Sequence, residues 1–342
     1  MNIFLTILIA ILCFGVIIFI HELGHFLVAK LFKFRINEFA LGMGPTVLSV
    51  KGKETKYALR LLPIGGFVAM EGEDEESSDE RAFNNKPAWQ RFLVCIAGAT
   101  MNLILGFIIM VIITSCFANL VGTRKVAYIA ENSAFSEKLQ VGDEIISVNN
   151  LNIFTTTDVY YEFTRDADKS VDMIIRRNNE KIEINNIPLT TVIDEEGNET
   201  VSFDLRFYGE KKNVLNVLKE GAIETVSSAR LVFLSLVDLI RGRYSVNELS
   251  GPVGVTSVIS QAASYGIDSL LNVVAFISIN VGVFNLLPFP ALDGGRSIVL
   301  IGEMITKKHL NRKVEAIINV IGLGILLLVM LFATYNDILK LF

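Results

Sequence analysis

The sequence predicts an α-helical membrane protein with four transmembrane helices and one water-soluble, β-rich insert. Three observations carry that prediction. Of the 342 residues, 51% are hydrophobic and only 20% are charged, too apolar a balance for an ordinary soluble chain. The apolar residues are clustered: residues 3–20, 92–123, 269–292 and 316–336 contain no Asp, Glu, Lys or Arg. Each run is about the length needed to cross a hydrocarbon core roughly 30 Å thick. Residues 124–268, between the second and third runs, are polar enough to fold in water. A net charge of −5 and a pI near 5.4 argue against a nucleic-acid partner.

These patterns divide the chain as follows. Residues 1–32 form the first transmembrane helix, 33–91 a loop with a β-hairpin, and 92–121 the second transmembrane helix. Residues 122–208 form a β-rich domain, followed by an amphipathic helix and linker over 209–268. The third transmembrane helix and a loop occupy 269–313, and the fourth helix 314–342. Cys13, Cys95 and Cys116 all lie in apolar runs and in no metal-ligand spacing, so they read as small buried residues.

Charge sets the orientation. The loop 30–91 carries ten Lys and Arg, and the loop 293–313 carries five. The segment 124–268 has fifteen, but against 22 Asp and Glu, and it is too long to count under the positive-inside rule. The two short basic loops are therefore expected on the cytoplasmic side. The large insert and both termini are expected outside, a four-span arrangement in a cell membrane. The acidic stretch 71-EGEDEESSDE-80 reads as a solvated, mobile cytoplasmic tract.

The chemistry is concentrated in one motif. His21-Glu22-Leu23-Gly24-His25 is an H-E-x-x-H sequence in a chain with only three histidines. Residues i and i+4 share a helix face, so His21 and His25 can meet one Zn2+ ion, with Glu22 placed to deprotonate its water. A charged residue in an uncharged stretch is costly and usually marks function. The distance from Ile3 to His21 along a helix is about 27 Å, which places the site in the cytoplasmic third of the membrane.

A third protein ligand is needed. His309 lies in a Lys-rich loop, and Glu303 lies in the same cytoplasmic segment. Asp293 is the better candidate. It ends the third apolar run in 285-NLLPFPALDGGR-296, where Pro288, Pro290, Gly294 and Gly295 prevent a regular helix. Irregular backbone at membrane depth is tolerated only beside protein or a water-filled cavity.

Together these residues resemble the site-2 protease family of intramembrane zinc metalloproteases, closest to the bacterial regulator of sigma-E protease (RseP) branch. The resemblance covers nearly the whole chain: HELGH in the first span, N-x-x-P-x-P-x-L-D-G downstream, and an insert between spans two and three. It implies that His21, His25 and Asp293 bind zinc and that Glu22 is the general base. It also implies that Asn285 and Asn280 bind the substrate, and it offers Asn102 either as a further substrate-binding residue or as an interhelical structural one. Asn102 belongs to 97-AGATMN-102, where Ala99 stands in place of the family's proline. The implied substrates are single-span membrane proteins already trimmed outside by an upstream site-1 protease, such as anti-sigma factors, or remnant signal peptides.

Two further segments fit. The β-prone runs 46–50 and 55–62 flank Lys51-Gly52-Lys53-Glu54 and predict a hairpin. In similar proteins such a hairpin lies on the membrane, and its edge is proposed to pair with an unwound substrate. Residues 138-KLQVGDEIISVNN-150 have the pattern of a PDZ domain, with further strand-like runs at 171–175, 182–187 and 201–207. Residues 213–243 read as a helix that Arg230, Arg241 and Arg243 bring to the outer membrane surface. A turn at 250-SGPVG-254 and a short apolar segment then lead into the third span.

Overall fold

The computed structural model describes residues 3–73, 75–131, 133–165, 169–193, 199–202, 204–243, 250–308 and 311–340. The chain divides into two compact units: Met1–Ile109 with Ser235–Phe342, and Met110–Leu234.

In the first unit, α1 (Ile3–Leu31) is apolar on all sides, as a membrane span must be. It ends where Lys33 turns left-handed at φ 60°, and Phe34 folds back into a buried cluster with Ile36, Phe83 and Val94. α2 (Ala88–Ile112) follows and continues through a π-helical turn, Ile113–Phe117. With Ala99 at the position of the family's proline, α2 runs through without a break. α5 (Pro252–Tyr265), α6 (Ile267–Leu286), α7 (Asp293–Thr306) and α8 (Arg312–Leu339) complete the helices of this unit. Among the described residues four helices are long and apolar enough to cross a membrane: Phe4–Leu31, Ala88–Phe117, Ile267–Leu286 and Lys313–Leu339.

One expectation for this unit is corrected. The stretch before the third span is not a simple connection, because α5 is a 14-residue helix opened by Pro252. Proline suits a helix's first turn, where its missing N–H costs nothing. Asp337 on α8 accepts from the Gly254 N–H at 2.7 Å, and Gly254 has no room for a side chain, since a Cβ there would lie 2.9 Å from Asp337 Oδ1. The break expected around Asp293 is present. α6 stops at Leu286, residues 287–292 form a non-helical link in which Ala291 has φ 70°, and Asp293 is the first residue of α7.

The expected hairpin also proves more elaborate. β1 (Ile36–Lys51) and β2 (Lys56–Met70) bend at Gly42, Gly44 and Gly65, all with positive φ. Phe39 therefore pairs with both Val68 and Tyr57, and Leu41 with both Gly66 and Leu59, while Val50 pairs again with Tyr57. The result is a curled sheet of four short runs in the order 66–70, 36–41, 56–59, 48–51. Run 66–70 is one of its two edges.

The second unit has an antiparallel sheet in the order β10-β3-β4-β6-β7. Its strands are β3 (Val121–Ile129), β4 (Glu144–Val148), β6 (Ser170–Arg177), β7 (Glu180–Pro188) and β10 (Leu205–Glu210). β5 (Leu151–Asn152) pairs with β4, and β8 (Thr191–Ile193) with β9 (Glu199–Val201). α3 (Thr156–Arg165) closes a core that includes Val126, Phe135, Ile145, Phe163 and Ile175.

α4 (Val214–Ile240) follows. Arg230 on this helix does not turn outward as expected. It lies 2.8 Å from the fully buried Asp158, donates to the Asn152 carbonyl at 2.8 Å, and stacks 4.2 Å over Phe154. Asp158 also accepts from Ser227 and from the Phe154 and Thr155 N–H groups. A buried carboxylate requires such partners, and this one ties α3 to α4.

Candidate metal centre

The site is built from three helices. His21 and His25 lie one turn apart on α1, and the chain returns on α7 to bring Asp293 to them. His21 Nε2 and His25 Nε2 are 3.2 Å apart, and Asp293 Oδ2 lies 3.2 Å from the first and 3.3 Å from the second. Asp293 Oδ2 is buried and has no hydrogen-bond partner. Three potential ligand atoms thus converge on one point. Ligands about 2.0–2.1 Å from a tetrahedral zinc ion stand roughly 3.3 Å from one another. The donor set, its spacing and its orphaned oxygen therefore fit zinc, and among the described residues this is the one such cluster of His, Cys, Asp or Glu.

α2 supplies the rest of the cradle through one face at four-residue spacing: Val94, Gly98, Asn102. The Val94 carbonyl is 2.8 Å from His25 Nδ1, which fixes that ring with Nε2 toward the site. Gly98 leaves room for both imidazoles, since a Cβ there would stand 2.3 Å from His25 Nε2 and 2.8 Å from His21 Nε2. Asn102 reaches His21, with Nδ2 3.3 Å from Nδ1. Gly24 on α1 allows the two helices to meet, because a Cβ there would lie 2.4 Å from the Ala97 carbonyl oxygen.

Glu22 is buried, 9% exposed. One residue along α1 from His21, it points about 100° around the helix, and there it meets the curled sheet. A Cβ on Gly66 would be 2.8 Å from Glu22 Cγ and 3.0 Å from the Ala40 carbonyl. Edge run 66–70 therefore begins against Glu22.

The other end of this edge is held by the acidic tract, which is not the free solvated loop expected. Glu73 accepts from the Met70 N–H at 3.3 Å and pairs with Arg296, whose guanidinium lies 4.5 Å over the Phe83 ring. Glu71 accepts from Asn37 and Ser77, each at 2.8 Å. Asp79 accepts from Arg35 at 2.9 Å, which holds its carboxyl below the usual range. The tract folds because the basic partners that neutralise it come from elsewhere in the chain.

Of the other residues singled out in the sequence, Glu303 is paired with Arg91 and both are nearly buried, so it is not a ligand. His309 lies outside the described residues. Asn102 is fully buried. Asn280 donates to the Phe276 carbonyl at 2.8 Å and Asn285 to the Val281 carbonyl at 3.0 Å, each back along its own helix. Sequence reasoning missed Gly98 and Gly66, whose roles depend on which helix and strand pass them. The small-residue stretch 97-AGAT-100 and the pair Gly65-Gly66 were the available signals.

The sequence profile of peptidase family M50 matches residues 9–329. A protein of Clostridium acetobutylicum provisionally named a zinc metalloprotease is 37% identical over 336 residues, covering 98% of each chain. A similarly named protein of Clostridium perfringens is 38% identical over 337 residues, covering 97% of this chain and 98% of its own. The Bacillus subtilis protein named Regulator of sigma-W protease RasP is 31% identical over 419 aligned positions, covering 98% of this chain and 99% of its own.

The chain belongs to peptidase family M50, the site-2 proteases. It is a multi-pass membrane zinc metalloprotease, similar to the regulator-of-sigma-factor branch of that family.

Proposed function

We propose that this protein hydrolyses peptide bonds within, or at the edge of, the transmembrane helix of a single-span substrate, with His21, His25 and Asp293 holding zinc and Glu22 acting as general base. The observation that carries this reading is the convergence of the three ligand atoms within 3.3 Å, with the edge run 66–70 starting at the neighbouring Glu22. The same reading places the site in the cytoplasmic third of the bilayer, with loops 30–91 and 293–313 inside and the β-rich unit outside.

A transmembrane helix hides its peptide bonds in its own hydrogen bonds, so it must unwind before cleavage. The free edge of run 66–70 offers replacement backbone partners, and Glu73 ends that edge at Met70. A substrate strand lying on the edge passes Glu22 at Gly66. Asn280 and Asn285 use an amide N–H on their own helix, which leaves Oδ1 to accept from a substrate N–H. Zinc, when bound, polarises the scissile carbonyl and lowers the pKa of a water molecule. Glu22 takes the proton from that water and delivers it to the leaving amine.

The likeness to a protein named as a regulator of sigma-W supports anti-sigma factors as one substrate class, cut after an upstream protease has trimmed them. Remnant signal peptides offer the same chemistry. The outer unit reads as a PDZ-like domain over 122–208 that screens substrates by size. The family resemblance favours screening over recruitment. The whole reading is tested by cleavage of a labelled single-span substrate in detergent. Turnover that a zinc chelator abolishes and added zinc restores is expected; turnover indifferent to the chelator overturns it.

A further inference from the structure

We infer that Asn102 is a positioning residue that holds His21 in the tautomer needed for metal binding. This rests on the zinc site proposed above. His21 directs Nε2 at His25 Nε2 and Asp293 Oδ2, so Nε2 is its ligand atom and must be unprotonated. A neutral imidazole then carries its proton on Nδ1 and needs an acceptor there. For His25 the acceptor is the Val94 carbonyl at 2.8 Å.

For His21 the hydrogen-bonding group at Nδ1, among the described residues, is the Asn102 amide. In one orientation of the amide, its NH2 nitrogen faces Nδ1 at 3.3 Å, while Oδ1 is buried with no partner among the described residues. That arrangement sets a donor against a donor at the Nδ1–H. The oxygen and nitrogen of an amide have the same shape, and the hydrogen-bond network decides which is which. Turned over, Asn102 presents Oδ1 to the Nδ1–H, and Nε2 is free to bind the metal.

The surroundings hold the backbone at Asn102 in place. Asn102 is 0% exposed, and Ser278 on α6 donates to its backbone carbonyl at 2.8 Å. Because Val94 and Asn102 lie eight residues apart on one face of α2, and His25 and His21 four apart on α1, a single helix orients both rings. Full burial in the absence of substrate also separates Asn102 from Asn280 and Asn285, which retain some exposure.

The test measures zinc affinity on the full-length protein in detergent, by competition with a chromogenic chelator. Asn102→Leu keeps the volume but removes the acceptor, and should weaken zinc binding about 10- to 100-fold. Asn102→Asp keeps an acceptor and should stay within a few-fold of wild type. Because the chain has only three histidines, ring-15N spectra of the zinc-loaded wild type give a second reading that needs no variant. His21 should show a protonated Nδ1 and a metal-bound Nε2.

Asn102→Leu with wild-type zinc affinity and lost cleavage makes Asn102 a substrate contact and overturns the proposal, as does metal on His21 Nδ1. A wild type that takes up no zinc overturns the metal reading itself, a separate and visible failure.

Discussion

Gly66 lies against Glu22 so closely that a Cβ on the glycine would come within 2.8 Å of the Glu22 Cγ. Glu22, the proposed general base, therefore leans on the first residue of the edge run 66–70. Gly66→Ala forces either the glutamate or the strand to move. A displacement of about 1 Å in a reacting group can cost on the order of 100-fold in rate. Because Glu22 is not a ligand, the variant is expected to keep its zinc and lose kcat. Metal content and single-substrate kinetics measured together check this; loss of zinc alongside activity would mean that the whole site collapses.

Orientation is tested by thiol labelling in intact cells after Cys13, Cys95 and Cys116 are replaced. A cysteine at Ser77 should resist an impermeant reagent, and one at the exposed Lys181 should react. The reverse pattern would invert the topology.

Screening by the outer unit predicts a change in substrate range. Replacing 124–208 with a short flexible linker should leave cleavage of a pre-trimmed substrate largely intact and permit cleavage of the untrimmed form. A folded, zinc-loaded variant that fails on the trimmed form would favour recruitment instead.

Glu224 on α4 should give the second unit a pH dependence. Burial, with Glu220 and Asp158 nearby, pushes its carboxyl from 4.5 up to about 7. Between those values the folded unit keeps a proton that the unfolded chain has released. Its stability should fall as pH rises through that window, with no further loss from this group above it. Hydrogen exchange in α4, corrected for intrinsic rate, should show this slope in wild type and lose it in Glu224→Gln. An equal slope in both would assign the effect to another group.

What was legible in the sequence was local. His21 and His25 declare themselves because four residues make one helical turn, and the uncharged runs declare the spans because their length matches the bilayer. Asp293 stood out because prolines and glycines break the helix around it. The rest depends on partners distant in sequence. The double pairing of Phe39 follows from bends at three glycines, and no β-propensity reports such a curl. The acidic tract read as solvated because Asn37, Arg35 and Arg296 approach it only in the fold. Arg230 read as a surface charge because its partner Asp158 lies 72 residues away.

The most direct test of the account is zinc content and cleavage measured together in Glu22→Gln and Asp293→Asn. The first should retain one zinc per chain and lose cleavage, since a base acts on chemistry and not on coordination. The second should lose both, because it removes a ligand. Near-wild-type turnover in Glu22→Gln, or full zinc in Asp293→Asn, would contradict the assignment.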